Sequence, residues 1–188
     1  MISDRLLFVD TETGGLDPEK YSLLTVGLVA WDRESGIIDA KELSIKHDCY
    51  SITKSAERIN KLSSINMNNT KPENPRTIIK EIDLFCCNNL GEDAATIAGH
   101  NVGFDVAFLK QFYKENHASF SKRFSHRTVD THAILFYLWC LGKIENMESF
   151  SSAKAFKYFG IEVQDRHSAL GDAIATAELF QHLIALLR

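Results

Sequence analysis

Asp10 and Glu12 stand two residues apart at the end of the apolar run Leu6-Leu7-Phe8-Val9. On a β-strand that spacing puts both carboxylates on one face. Two carboxylates side by side at the end of a buried strand repel each other, and a hard divalent cation with oxygen ligands is the natural relief. Taken alone, the pair reads equally as two solvated acids leading into a loop. A third acid, Asp105, follows Gly99-His100-Asn101-Val102-Gly103-Phe104, where a small strand runs into a helix. Taken alone, it fits an acid that complements the helix dipole. A fourth, Asp172, lies about one turn inside the last helix, five residues after His167. Ala169, Gly171 and Ala173 around it leave room for another element to approach closely. Taken alone, His167 and Asp172 fit a capping histidine and a surface acid.

The elements that must position these groups follow from the hydrophobic pattern. Leu6 to Thr11 and Leu23 to Trp31 read as buried strands, and Ile37 to Ile45 as a third after the turn Asp32-Arg33-Glu34-Ser35-Gly36. So short a turn implies an antiparallel hairpin, hence a three-strand meander. Helical spacing then takes over: Ser55 to Leu62, Pro75 to Leu90 with an Ile78, Ile79, Ile82 and Phe85 stripe, and Val102 to Glu115. A polar loop over Asn68 to Pro75 separates the first two. Thr96 to Gly99 and Arg127 to Val129 are two further short strands. Asp130 to Leu141, Ser151 to Phe159 and about Ser168 to Leu187 complete the helices, the last turning Ala173, Ala177, Phe180, Ile184 and Leu187 inward. The expected fold is α/β: a ribonuclease H-like mixed five-stranded sheet, three-strand antiparallel meander plus two further strands, flanked by helices.

The chain has 188 residues, 45% of them hydrophobic and 24% charged, with 21 Lys and Arg against 25 Asp and Glu. That length suits a single domain over residues 1–188 with a core that needs no disulfide. The composition excludes disordered, collagenous and coiled-coil classes. A net charge of −4 argues against gripping nucleic acid with the whole surface. Between residues 110 and 127, however, Lys110, Lys114, Lys122, Arg123 and Arg127 face only Glu115, a flank that could guide a backbone or simply be a solvated helix and loop. Cys49, Cys86, Cys87 and Cys140 form no CxxC pair and read as reduced thiols in or near the core. His47, His100, His117 and His182 show no metal-ligand spacing. No signal peptide or membrane-spanning run is visible, and a cytoplasmic location is expected.

Three segments together carry a family resemblance. Asp10-Thr11-Glu12-Thr13-Gly14-Gly15-Leu16, His100-Asn101-Val102-Gly103-Phe104-Asp105-Val106-Ala107-Phe108-Leu109 and His167-Ser168-Ala169-Leu170-Gly171-Asp172-Ala173 resemble the three motifs of the DnaQ-like 3′–5′ exonucleases, in the branch with a histidine before the last acid. Arg127 to Thr131 resembles the family's short strand with its Asp-Thr, and Phe150 to Ile161 the helix before the third motif. The resemblance spans residues 6–187. Two departures stand out. Gly14 replaces the usual Thr, which implies a more flexible loop. Replicative editing subunits of the family carry a C-terminal polymerase-binding extension; this chain stops at Arg188, and polymerase association is left open.

The resemblance implies phosphodiester hydrolysis with two Mg²⁺ or Mn²⁺ ions, one orienting the attacking water and one neutralising the departing 3′ oxygen. Asp10 would bridge the ions, Glu12 and Asp172 would complete the nucleophile-side site, Asp105 would hold the second, and His167 would be the general base. Thr11, Thr13, Leu16, Asn101 and Phe104 would contact the terminal nucleotide, although Leu16 and Phe104 are equally readable as core residues. The implied partners are single-stranded DNA or frayed 3′ ends, from which nucleoside 5′-monophosphates would be released. RNA trimming and a polymerase-associated module without catalysis are the alternatives.

Overall fold

The computed structural model describes residues 4–63, 67, 70–163 and 168–187. Arg166 and His167 of the third motif, and Asn68 of the polar loop, therefore lie outside the described residues.

Three strands, β1 (Arg5–Thr13), β2 (Leu23–Asp32) and β3 (Gly36–Ser44), form the antiparallel meander. The β2–β3 turn closes because Asp32 accepts hydrogen bonds from the backbone N–H groups of Glu34 and Ser35, while Gly36 takes a positive φ of 77°. Strands β4 (Ala95–Gly99) and β5 (Phe124–Asp130) add in parallel, giving the order β3-β2-β1-β4-β5. This is the ribonuclease H-like sheet expected from the pattern.

Alternation along β1 splits the core into two layers. Leu7 and Val9 pack with α2 (Pro75–Leu90) and α3 (Gly103–Glu115), where the stripe Ile78, Ile79, Ile82 and Phe85 is buried as expected. Leu6 and Phe8 face the other side, against Ala173 and Ala177 of α7 (Ala169–Ala185). Phe180 lies 5.5 Å from the ring of Phe8 and 5.1 Å from that of Trp31, which fixes α7 on the sheet.

Several boundaries differ for local reasons. Helix α1 (Lys54–Asn60) stops two residues early because Lys61 adopts a left-handed conformation. A short helix, α4 (Phe120–Arg123), and the first half of β5 (Phe124–Asp130) escape the sequence pattern: Ser125 and His126 of this edge strand are polar, so no apolar alternation extends the expected Arg127 to Val129 strand back to Phe124. Helix α7 ends at Ala185, and Leu187 is exposed rather than inward. Of the cysteines, only Cys86 is buried; Cys49 and Cys140 are exposed.

Helices α5 (Thr131–Cys140) and α6 (Ser152–Phe159) complete seven helices among the described residues. Helix α5 carries no acidic or basic side chain but His132; Leu135 and Leu138 face the core, while Phe136, Tyr137 and Trp139 are exposed. No helix among the described residues is long and apolar enough to cross a membrane.

Candidate active site

Strand β1 extends beyond its pairing with β4, which ends at Phe8 opposite Ala98. The last residues of β1 thus project past the carboxyl ends of the parallel strands, where open α/β sheets commonly place their ligands. Asp10 and Glu12 leave this projection on the α7 side, the side of Phe8. On β2, the residue opposite Asp10 is Gly27, and on β3 the residue opposite Gly27 is Glu42. A Cβ at Gly27 would lie 2.2 Å from the carbonyl oxygen of Ala169. Bare backbone at Gly27 therefore lets the first turn of α7 sit directly on the sheet. Glu42 accepts the Leu170 N–H at 3.1 Å, and Ser168 accepts the Gly171 N–H at 3.0 Å, so that turn is capped from two sides.

This seating delivers Asp172. Among the described residues, ligand oxygens of Asp10, Glu12 and Asp172 all lie within 4.8 Å of one another. Asp105 stands outside this trio but near enough to act on it. It is buried near the start of α3, where its carboxylate accepts the Thr11 hydroxyl at 2.7 Å. Gly99 makes this junction possible: a Cβ there would crowd the Val9 carbonyl oxygen at 3.0 Å and Val102 at 2.9 Å.

The electrostatics express the crowding. Burial, then Asp105, Asp172 and Glu12, hold the Asp10 carboxyl well above the usual range. Burial, then Asp172 and Glu42, push Glu12 to about 8, while the nearby Asn60 amide opposes the rise. Asp105 is raised too, chiefly by burial, against hydrogen bonds from Thr11 and backbone N–H groups. Three oxygen donors converging at mutual cost fit a hard divalent cation, whose charge would remove the repulsion that raises these groups.

Beside the trio opens a cavity of about 520 Å³ lined by Thr11, Glu12, Thr13, Leu16, Tyr21, Ile59, Asn60 and Phe104, among others. Leu16 is 85% exposed and Ile59 58%, so neither is a core residue. Thr11 and Thr13 line the cavity, but their hydroxyls already donate, to Asp105 and to the Gly15 carbonyl at 2.8 Å. Phe104 is half-buried and reaches the cavity while stacking on Phe108 at 5.0 Å. Asn101 is exposed in a left-handed conformation beyond β4, its N–H given to Asp130, and is not part of the lining.

The expected flexibility at Gly14 is not what the structure shows. Gly14 is buried, donates its N–H to the Ser22 carbonyl at 2.8 Å and accepts the Thr53 N–H at 2.7 Å. A Cβ there would stand 1.9 Å from the Ser51 carbonyl oxygen, so close backbone approach demands the glycine. The basic flank also thins. Arg123 bonds Asp83 at 3.2 Å and Cys87 Sγ at 3.3 Å and turns inward, leaving Lys110, Lys114, Lys122 and Arg127 exposed. His47 and His100 are tied to backbone carbonyls, of Leu23 and Phe150.

The family model for exonucleases, RNase_T, matches residues 7–180. The chain belongs to this exonuclease family. Within it, the chain is 26% identical over 181 residues to the DNA polymerase III subunit epsilon of Aquifex aeolicus, covering 96% of this chain and 80% of that protein. Its fold superposes on E. coli exonuclease I in complex with a dT13 oligonucleotide with a TM-score of 0.79 at 22% identity, over 98% of this chain. The chain spans only 40% of that protein's length. The nuclease domain of 3′hExo, a DEDDh family member bound to rAMP, gives a TM-score of 0.75 at 13% identity and is covered over 92% of its length. Membership makes the chain a 3′–5′ exonuclease domain, a family that works with divalent ions, and the acidic trio is consistent with its active site.

Sequence reasoning passed over Gly27, Glu42 and Asn60. A lone glycine inside an apolar strand is a signal of close backbone approach and could have exposed Gly27. Glu42 and Asn60 carry no such mark, because their roles depend on neighbours remote in the chain.

Proposed function

We propose that this protein hydrolyses single-stranded or frayed DNA from its 3′ end, one nucleotide at a time, with two Mg²⁺ or Mn²⁺ ions held at the carboxylates. The observation that carries the reading is the trio Asp10, Glu12 and Asp172 at the mouth of a cavity whose volume falls within the roughly 300–1,000 Å³ of small-molecule sites. When bound, the ions would supply charge neutralisation at the attacking and leaving oxygens. Asp10, Glu12 and Asp172 would hold them, with Asp105 adjacent and fixed by Thr11. Leu16, Ile59 and Phe104 would bracket the terminal base by apolar contact that tolerates any sequence. By its place in the motif that resembles the family's third, His167 is assigned the removal of a proton from the attacking water, a role that an imidazole of ordinary pKa can serve.

The DNA oligonucleotide bound to exonuclease I supports a DNA substrate, and the rAMP bound to 3′hExo makes RNA the comparison to run. The test uses 5′-labelled single-stranded DNA, a duplex with a mismatched 3′ end, and RNA of the same sequence, each with Mn²⁺. Stepwise shortening of the DNA strands, abolished by Asp10→Ala, is expected. Undiminished shortening by purified Asp10→Ala protein would defeat the site assignment, and faster shortening of RNA would defeat the choice of DNA.

A further inference from the structure

Asn60 is a polar side chain at the last position of α1, yet only 5% exposed. A buried amide is costly unless its groups are paired. Nδ2 donates to the Thr13 carbonyl at 3.0 Å, one residue beyond Glu12, and Asn60 lines the same cavity as Glu12. Oδ1 accepts the Leu62 N–H at 3.0 Å, which keeps the amide from turning over. The helix that bears it is pinned at its other end as well, where the Thr53 N–H meets the Gly14 carbonyl at 2.7 Å. Helix α1 is thus fastened across the end of β1 by one bond at each end, and its Ala56, Ile59 and Asn60 form one wall of the cavity.

We propose that Asn60 is a positioning residue of the metal cluster: its amide holds the Thr13 carbonyl, one residue beyond Glu12, so that α1 fixes the end of β1 and with it where Glu12 aims its oxygens. Glu12 is the trio member furthest along β1, beyond which the register with β2 shifts, so the strand ladder holds it least firmly. A hydrogen-bonding partner outside the ligand set orients a ligand before the ion arrives. Removing such a partner characteristically costs about 10–100-fold in metal affinity. Asn60 also belongs to the cavity wall, so one side chain joins the surface that would meet the terminal nucleotide to a carboxylate that would meet the ion.

This inference rests on the reading of the trio as a metal site. The test titrates Mn²⁺ into full-length protein without nucleic acid, by calorimetry, for wild type, Asn60→Ala and the near-isosteric Asn60→Leu. The same titrations are run in a Glu12→Gln background, with thermal melting confirming that each protein is folded. Mn²⁺ affinity should fall about tenfold or more in either Asn60 variant. The further loss should vanish in Glu12→Gln, because nothing remains for the amide to orient. Wild-type affinity in a folded Asn60 variant overturns the proposal, as does an equal loss in both backgrounds, which would mark Asn60 as structural only. No Mn²⁺ binding by the wild-type protein would overturn the metal reading itself, and this inference with it.

Discussion

On one side of Glu12 stand Asp10 and Asp172, acids crowded within 4.8 Å, where burial and the neighbouring acids hold the Asp10 carboxyl well above its usual range. On its other side stand Leu16, Ile59 and Phe104, apolar groups around an open cavity, two of them exposed to water. The carboxylate floor is rigid and electrostatically strained: its members ride on the central strand and on a helix seated against Gly27. The cavity is assembled from a loop and one short helix fastened at two points. Each region is unfavourable as it stands, the first through unrelieved charge and the second through exposed apolar surface. On the proposed function a cation would relieve the one and a base the other, so ligand binding and site stability would be coupled in both.

The sharpest way to separate floor from cavity is Asp172→Asn. Asp172 raises both Asp10 and Glu12, so its neutral isostere should relieve the floor while removing a ligand. Turnover should fall more than about 10³-fold. The melting temperature in chelator should rise by about 2–4 °C, the response to roughly 1 kcal/mol in a chain of this size. Melting that falls with activity would mean that Asp172 supports the fold and that the floor is not strained.

Next in size is Gly27→Ala. The added methyl would lie 2.2 Å from the Ala169 carbonyl oxygen, a backbone atom that cannot swing aside. Helix α7 must lift, carrying Asp172 from Asp10, and turnover should fall about 10²-fold, as misplacement by about an ångström does. Nucleotide binding to the cavity without metal should change little, because α7 is not among its lining elements. Equal losses of both would erase the distinction between the regions.

Legibility follows the same division. The floor was readable because its chemistry lies in residue identity at short spacing: Asp10 and Glu12 alternate on one strand, and Asp172 lies a fixed distance into a helix flanked by small residues. The meander and the buried helical stripes were readable for the same reason, since burial on one face imposes a period. The cavity was readable only where its lining falls inside motifs, at Thr11, Thr13, Leu16 and Phe104. Ile59, Ala56 and Asn60 come from a helix whose seven residues carry no distinguishing pattern, and whose place is set by hydrogen bonds to the carbonyls of Thr13 and Gly14. Gly14 shows the converse: a glycine read as freedom proved to be a requirement of packing against Ser51. The start of β5, at Ser125 and His126, was invisible because an edge strand facing water has no apolar period to show.

A third effect is moderate and distinguishes the regions by pH. Glu12 titrates near 8 in the fold against an ordinary 4.5, and Asp10 and Asp105 shift in the same direction. The metal-free fold therefore keeps protons that the unfolded chain gives up at lower pH. Their stabilisation is fully present below about 4.5 and is lost as pH rises through about 8. Melting in chelator should fall by about 5 °C or more between the ends of that window. Saturating Mn²⁺ should flatten the decline, because the ion replaces the protons. A melting temperature in chelator that climbs across the window would show that the carboxylates are not strained by burial and repulsion.

The smallest effect belongs to the cavity. Leu16 is 85% exposed, so Leu16→Ala removes almost no packing from the fold and should leave melting unchanged. If its side chain covers the terminal base, the loss of that apolar contact is worth about 1–2 kcal/mol, or about a tenfold rise in KM. The maximal rate should change less, because the carboxylates that serve the chemistry are untouched. A fall in kcat with KM unchanged would mean that Leu16 holds the reacting phosphate in line rather than gripping the base, and would move it from the cavity's account to that of the floor.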